Sequence, residues 1–124
     1  MGRNAKVKIG NNVGMSSVCF WCTNAIEIGD NVKIGACSIL IDNDAHNLNY
    51  EIRRDSKKDV AASAPIKIED DVMIGTNVIV LKGITIGARS IIGAGSVVTK
   101  SIPADCVAAG NPCRVIKIIN NEKS

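Results

Sequence analysis

Aromatic residues are almost absent from this sequence. Its 124 residues include one Phe, one Trp and one Tyr, and Leu occurs at only three positions, whereas Ile and Val are abundant. A helical bundle normally relies on Leu, so the excess of β-branched residues favours strands. Three prolines and eleven glycines suit many short strands joined by tight corners. An apolar content of 46% excludes a disordered chain.

The sequence also lacks signals for membranes, export and nucleic acids. No uncharged apolar run approaches the ~20 residues of a membrane-spanning helix, and no signal peptide opens the chain. The net charge of +3 is too small to indicate a nucleic-acid partner. The five cysteines lack the spacing of a disulfide scaffold, which predicts reduced, mostly buried thiols in a cytoplasmic protein. We therefore expect neither a nucleic-acid nor a membrane partner.

A six-residue repeat dominates the second half of the chain. Every sixth position from Ile68 to Val98 carries a β-branched aliphatic residue, and a small or aliphatic residue recurs four positions after each. A period of six fits neither an α-helix nor a hairpin meander. The same phase is found earlier in the chain, in a clear copy and in a weaker one, at Ile28, Ile34, Leu40, Ile9, Met15 and Trp21.

This period predicts a solenoid of short strands. Three hexads close one triangular coil, so residues about 18 positions apart stack on each other. The stacked pairs predicted in this way are Ile68 with Ile86, Ile74 with Ile92, and Val80 with Val98. We therefore predict a single all-β domain, a parallel β-helix over 1–124, with about four coils at 7–45 and 66–103, a projecting loop at 46–67, and a C-terminal segment at 104–124 that contains a last strand or packed segment at 115–119.

The only histidine of the sequence stands at the start of this loop. Histidine is the usual general base in enzymes, so His46 is a candidate for that role, with an ordinary surface residue as the alternative. Asp44 could orient the imidazole, bind an acceptor, or simply form a corner turn. One histidine is too few for a histidine-bound zinc, and the lone C-x-x-C pair, Cys19 and Cys22, indicates packed core thiols. No metal is expected.

Two segments carry a family resemblance. The chain resembles the hexapeptide-repeat acyltransferases, in particular the maltose and galactoside O-acetyltransferases and related capsule-sugar acetyltransferases, in IDNDAH and in VMIGTNVIVLKGITIGARSIIGAGSVVTKSIPADCVAAGNPCRVIK. The resemblance implies a left-handed parallel β-helix and a homotrimer with active sites between subunits. It also implies acetyl transfer from acetyl-CoA to a hydroxyl of a sugar, glycan or other small-molecule acceptor.

The resemblance further implies roles for individual residues. His46 matches the general base of a direct transfer without a covalent enzyme intermediate. A backbone N–H of Gly75 or Thr76 would face the oxyanion, and Lys100, Arg114 and Lys117 would meet the phosphates of the coenzyme. The complete set matching the acetyl-CoA site is Gly75, Thr76, Ala94, Thr99, Lys100, Arg114 and Lys117.

The sequence departs from the family pattern at several points. The carboxylate that binds the acceptor in the family is replaced by Thr23, so the neighbouring Asn24 becomes the polar candidate beside Asp44. Met73 stands where Trp is frequent. The helical segment that usually opens the family's enzymes has no counterpart, which predicts a truncated chain or a short variant.

Two alternatives remain open at this point. The same fold could acetylate another acceptor, such as an antibiotic, serine or an amino sugar. It could also be a non-catalytic solenoid that serves binding or assembly. Surface-binding solenoids often carry a ladder of identical polar residues, but Thr76, Thr85 and Thr99 are not 18 positions apart. Open edges of a short prism need covering, so oligomerisation is expected and monomers are expected to be inactive.

Overall fold

The computed structural model describes residues 4–119 and shows a chain built almost entirely of short strands. Residues 120–124 of the predicted C-terminal segment lie outside this range. In chain order the elements are β1 (Lys6–Ile9), β2 (Gly14–Met15), β3 (Cys19–Trp21), β4 (Ala25–Ile28), β5 (Lys33–Ile34), β6 (Ile39–Ile41), α1 (Tyr50–Arg53), β7 (Ile66–Ile68), β8 (Met73–Ile74), β9 (Ile79–Val80), β10 (Thr85–Ile86), β11 (Ile91–Ile92), β12 (Val97–Val98), β13 (Cys106–Gly110) and β14 (Cys113–Ile118).

Successive strands are assigned to three sheets in turn. The first sheet has the order β1-β4-β7-β10, the second β14-β13-β11-β8-β5-β2, and the third β12-β9-β6-β3. Neighbouring strands pair in parallel, except that β14 runs antiparallel to β13. Each coil therefore contributes one strand to every sheet. This arrangement confirms the predicted all-β solenoid.

The strand register confirms the three predicted stacking pairs, Ile68 with Ile86, Ile74 with Ile92, and Val80 with Val98. The predicted count of about four coils is too low. The predicted coils end at residue 103, but Ile102 forms a bridge with Ile86 and β13 pairs with β11 beyond that point, so a fifth coil begins. The predicted last strand is β14, which starts two residues earlier than expected.

The interior of the prism is aliphatic, with serine at a few positions. Ser38, Ser90 and Ser96 are fully buried. Each hydroxyl donates to a backbone carbonyl and accepts from a backbone N–H; for Ser38 the partners are Gly75 and Val78. Because every buried hydroxyl is paired, these positions cost little desolvation energy. The small slots of the repeat are therefore compatible with serine as well as with valine.

The first coil departs from the predicted phase. The repeat assigns Trp21 to the interior, but Phe20 pairs with Leu40, and Trp21 is 47% exposed. The cause is a turn between β2 and β3 that is one residue shorter than its counterpart in the second coil. A slip of one residue moves a side chain to the other face of a strand.

The cysteines are all free, and their burial is mixed. Cys22, Cys106 and Cys113 are buried, whereas Cys19 and Cys37 are exposed. The prediction of a packed C-x-x-C pair is therefore wrong for Cys19. Burial raises the pKa of the Cys22 and Cys113 thiols, which keeps them protonated. Within residues 4–119, no helix is long and apolar enough to cross a membrane.

Three corners connect the sheets. The first corner joins the first sheet to the second, and many of its turns place Asn or Asp in the left-handed region, as these residues tolerate. The second corner joins the second sheet to the third, and the third corner leads back to the first sheet. The residues of the first corner are 10–13, 29–32, 69–72 and 87–90; those of the second are 16–18, 35–38, 75–78 and 93–96; those of the third are 22–24, 42–65, 81–84 and 99–101.

The loop projects from the third corner of the second coil. An antiparallel bridge between Asn43 and Ser63 brings its two ends together. Strand β7 begins at Ile66, so the predicted end of the loop at residue 67 is two residues late. Within the loop, α1 forms a single turn capped by Asn49, whose side chain accepts from the Glu51 N–H. No residue of α1 is buried.

Candidate active site

His46 lies where the third corner opens into the loop, and its partner comes from the far end of that loop. The imidazole Nδ1 is 2.6 Å from Oδ2 of Asp59. The other oxygen of Asp59, Oδ1, accepts from the Asn47 N–H at 2.6 Å. The His46 side chain is 66% exposed, and that of Asp59 only 12%. The donors of Asn47 and His46 hold the pKa of Asp59 below its usual value.

Asp59 is a site residue that the sequence did not reveal. It lies outside the six-residue repeat, among other charged loop residues. Nothing in its spacing from His46 marks it as a partner. Only the return of the loop brings its carboxylate to the imidazole.

The backbone turns sharply just before His46. The His46 N–H donates to the Asp44 carbonyl at 2.7 Å, and the intervening Ala45 has a φ of 67°. This three-residue turn is strained for a residue with a Cβ atom. The Asn43 side chain stabilises it by accepting from the Ala45 N–H at 2.8 Å. The imidazole is therefore presented from a rigid turn.

The turn rests on a buried carboxylate. Asp42 is fully buried and accepts from the backbone N–H groups of Thr23 and Asn24 in the first coil, both at 2.8 Å. Burial alone raises the pKa of this carboxyl, but these N–H donors, together with Asn43 and Cys22, outweigh it and hold the pKa below its usual value. The root of the loop is thus anchored to the coil beneath it.

Asp44 contacts Lys82 in the next coil. Its Oδ1 lies 2.9 Å from the Lys82 Nζ, while Oδ2 is buried without a hydrogen-bond partner among residues 4–119. The partner of the imidazole is Asp59, so the orienting role considered for Asp44 is not the one observed. Asn24 lies at the same corner and donates through Nδ2 to the Ser63 hydroxyl at 3.1 Å. An acceptor-binding role for Asp44 and Asn24 stays a prediction.

The second corner presents backbone groups from successive coils. The Gly75 N–H donates to the Ile92 carbonyl at 2.8 Å and is therefore not free to face an oxyanion. The N–H groups of Thr76 and Ala94 make no hydrogen bond with the part of the chain that the structure describes. The Thr76 hydroxyl donates to the Ala36 carbonyl at 2.6 Å. Of the two predicted oxyanion donors, only Thr76 keeps an available amide.

Close stacking explains the glycine at this corner. A Cβ atom on Gly75 would lie 2.6 Å from the backbone nitrogen of Ala94 and 2.8 Å from its Cα. The two corner turns are therefore in direct backbone contact. Glycine is required here for close approach and not for its φ angle.

The predicted site residues fall into two groups, one at the corner where the strands of the third sheet begin and one at the corner where they end. Ala94 and Thr99, one from each group, are five residues apart in the chain, roughly 16 Å when extended. The third corner carries Asn24, Asp44, His46, Thr99 and Lys100. The second corner carries Gly75, Thr76 and Ala94, with Arg114 near it opposite Ala109, while Lys117 lies further along β14 opposite Val107. One chain therefore does not bring His46, the predicted base, and the predicted thioester site together.

The outward face of the third sheet, which lies between these two corners, is apolar. Outward-facing residues of the third sheet alternate with buried ones: Ile39, Ile79 and Val97 form one aliphatic row in register, and Ile41 pairs with Trp21 in the next row. The outward face of the first sheet instead carries Lys8, Glu27 and Lys67 in register. The two faces thus differ in their chemistry. Among residues 4–119, no group of three or more His, Cys, Asp and Glu side chains could hold a metal ion.

Comparison with known proteins accounts for this architecture. Residues 65–100 match the model of the bacterial transferase hexapeptide family, described as six repeats. The chain is 46% identical over 96 residues to the galactoside O-acetyltransferase of Escherichia coli, an alignment that covers 77% of this chain and 45% of that protein. The chain contains the hexapeptide repeat of this family and is similar to its acetyltransferases.

Solved members of the hexapeptide-repeat family superpose closely. A maltose O-acetyltransferase from Clostridium difficile matches with a TM-score of 0.85 and 41% identity over 93% of this chain and 60% of that one. A hexapeptide-repeat acetyltransferase from Vibrio cholerae, solved with acetyl coenzyme A, matches with a TM-score of 0.84 and 36% identity over 93% and 61%. The predicted fold class, a left-handed parallel β-helix, is thereby confirmed. The chain spans about half the length of the curated relatives it matches.

Proposed function

We propose that this protein is an acetyl-CoA-dependent O-acetyltransferase that modifies a hydroxyl of a sugar or glycan acceptor. The observation that carries the proposal is His46, held through Nδ1 by Asp59 at the one corner where the solenoid is interrupted. No hydrogen bond joins its Nε2 to any residue described between 4 and 119. An exposed imidazole with one nitrogen held and the other available suits a general base.

The proposed reaction is a direct transfer. Nε2 of His46 takes the proton from the acceptor hydroxyl as its oxygen attacks the thioester carbonyl. The tetrahedral intermediate carries a negative oxygen, which the Thr76 N–H stabilises. Collapse of the intermediate breaks the carbon–sulfur bond, and the departing thiolate takes this proton from the imidazolium. Base catalysis of this kind contributes about 10²–10⁴-fold, and an oxyanion donor about 3 kcal/mol.

Exposed polar and basic residues supply the proposed coenzyme contacts. Lys100, Arg114 and Lys117 are all exposed and carry the positive charge that the phosphates of acetyl-CoA require. Ala94 offers next to Thr76 an amide that has no partner in the described part of the chain, in line with contact to the pantetheine arm. Thr99 lies beside Lys100 at the third corner, and Gly75 provides the close stacking that presents the other two groups.

A homotrimer would complete the site. The base lies at the third corner and the thioester residues at the second, so the apolar face of the third sheet separates them. If three such faces surround a threefold axis, the second corner of each chain lies beside the third corner of the next. His46 of one subunit would then meet Thr76 and Ala94 of its neighbour. Burial of this apolar face would drive the association.

The acceptor site is assigned to the third corner. Oδ2 of Asp44 is buried and has no hydrogen-bond partner between residues 4 and 119, and an acceptor hydroxyl could donate to it. Lys82 already compensates the charge of this carboxylate, which favours a neutral hydroxyl over an ammonium group. Asn24 lies one coil below and is the second polar contact.

A cytoplasmic location is in line with the five free thiols.

The test is replacement of the base. His46→Asn is expected to lower the rate of sugar-dependent CoA release by at least about 100-fold. The KM for acetyl-CoA should change little, because the imidazole does not bind the coenzyme. Asp55→Asn, an isosteric change in the same exposed loop, serves as the control and should keep full activity. Unchanged turnover by His46→Asn would end the proposal.

A further inference from the structure

We propose that Asp59 is a positioning residue that couples closure of the loop to the tautomer of His46. The inference rests on the proposed function, because it concerns the same imidazole. The carboxylate bridges two groups at the start of the loop, the Asn47 N–H and the His46 Nδ1, each at 2.6 Å. One side chain from the end of the loop thereby fixes both its path and the state of the base.

The tautomer follows from the hydrogen-bond inventory. An ionised carboxylate only accepts hydrogen bonds, and the backbone N–H of Asn47 only donates. Oδ1 already accepts from the Asn47 N–H, and Oδ2 can only accept, so the imidazole must carry a proton on Nδ1 and donate it in a hydrogen bond to Oδ2. The proton on Nδ1 leaves the Nε2 lone pair available, which is the form that a base needs. Asp59 thus selects the competent tautomer.

The same carboxylate closes the loop into a ring. Asp59 lies 13 residues after His46, and two further contacts hold the ring on the Asn47 side. Asn47 Nδ2 donates to the Val60 carbonyl at 3.0 Å, and Arg53 Nη1 donates to the Asn47 carbonyl at 3.1 Å. If these contacts break and the loop opens, the imidazole loses its partner. A closed loop and a competent base are therefore the same state.

Two substitutions separate this role from simple structural support. In Asp59→Asn the single amide oxygen must face the Asn47 N–H, because that group cannot accept. The amide NH₂ then faces Nδ1 and forces the proton onto Nε2, the wrong tautomer. Asp59→Ala leaves both tautomers accessible. We expect Asp59→Asn to lower kcat at least about 100-fold and to be more damaging than Asp59→Ala, although Asn is the closer isostere.

The experiment measures kcat, KM and the ring nitrogen shifts of His46 by NMR. Nitrogen shifts should report a proton on Nδ1 in the wild type and on Nε2 in Asp59→Asn, independently of activity. Asp55→Asn is the matched control and should change neither readout, because the Asp55 carboxylate accepts only from the Lys57 N–H among the residues that the structure describes. The reverse order of the two Asp59 variants, or an unaltered tautomer in Asp59→Asn, overturns the inference.

The base variant keeps this result separate from the proposed function. If His46→Asn is inactive while Asp59→Asn is as active as the wild type, the positioning role fails and the general base stands. If His46→Asn is fully active, the proposed function itself fails, and the NMR result alone then decides whether Asp59 sets the tautomer.

Discussion

The second and third corners of the prism occupy equivalent places in the repeat and do different things. At the second corner every turn is short, and successive coils meet through backbone atoms, as Gly75 and Ala94 do. At the third corner the second coil is interrupted, and side chains take over: Asp42 and Asn43 anchor the loop, and Asp59 returns to His46. The uninterrupted corner offers amides, and the interrupted one offers titratable groups.

This contrast shows how a repetitive fold acquires chemistry. A strict repeat presents the same backbone groups at every coil and has no special position for a catalytic side chain. Breaking one corner frees its residues from the repeat. The proposed mechanism needs one group from each corner, a fixed N–H for the oxyanion and a base for the hydroxyl. Because these two corners lie at opposite ends of the third-sheet strands, the comparison predicts that two subunits are required.

Separation of the subunits should have the largest effect. Ile79→Arg places a charge in the middle of the apolar third-sheet face, where a neighbouring subunit would leave it unpaired. We expect folded monomers and the loss of nearly all activity. Light scattering reports the mass, circular dichroism the fold, and CoA release the activity. The control is Lys67→Ala on the charged first-sheet face, which should stay assembled and active. An active monomeric Ile79→Arg would refute the shared site.

Loss of the anchor at the third corner should have the next largest effect, on stability. Asp42→Ala removes a buried carboxylate and leaves the N–H groups of Thr23 and Asn24 without acceptors. We expect a loss of about 4 kcal/mol in the free energy of unfolding, measured in urea. Asp55→Ala, in the exposed part of the loop, should cost little. A loss below about 1 kcal/mol for Asp42→Ala would show that the loop root is held by other contacts.

The pH dependence of stability tests the same anchor. The pKa of Asp42 is lowered in the folded state, so its stabilisation is complete above the unfolded pKa of about 3.9. It is lost as the pH falls through the lower folded value. The wild type should therefore lose stability below about pH 4 more steeply than Asp42→Asn. Parallel curves for the two proteins in acid urea unfolding would contradict this assignment.

At the second corner, backbone contact should make one glycine far more sensitive than another. A Cβ on Gly75 meets the Ala94 backbone, whereas a Cβ on Gly95 has no atom within 4 Å and suffers only from a φ of 74°. Gly75→Ala should destabilise by about 3 kcal/mol. Gly95→Ala should cost about 1 kcal/mol. Urea unfolding measures both, and equal losses would mean that the corner relaxes freely.

The two corners also differ in how far the sequence predicts them. Repetition made the second corner predictable, because every hexad has the same pattern of buried positions. The stacked pairs then follow from the length of one coil, about 18 residues. The loop root gave only His46 as a signal, and Asp59 could not be found because its contact depends on tertiary return of the chain. Trp21 shows a limit inside the repeat as well, since one residue fewer in a turn exchanged it with Phe20.

The smallest effect is expected for the Thr76 side chain. Its hydroxyl donates to the Ala36 carbonyl and so does not serve the oxyanion, whereas its N–H makes no hydrogen bond within residues 4–119. Thr76→Val keeps the amide and the shape of the side chain. It should lower the free energy of unfolding by about 1 kcal/mol and kcat by less than about tenfold. A loss of 100-fold or more would move the oxyanion contact from the backbone to the hydroxyl and would make the second corner, like the third, a site of side-chain chemistry.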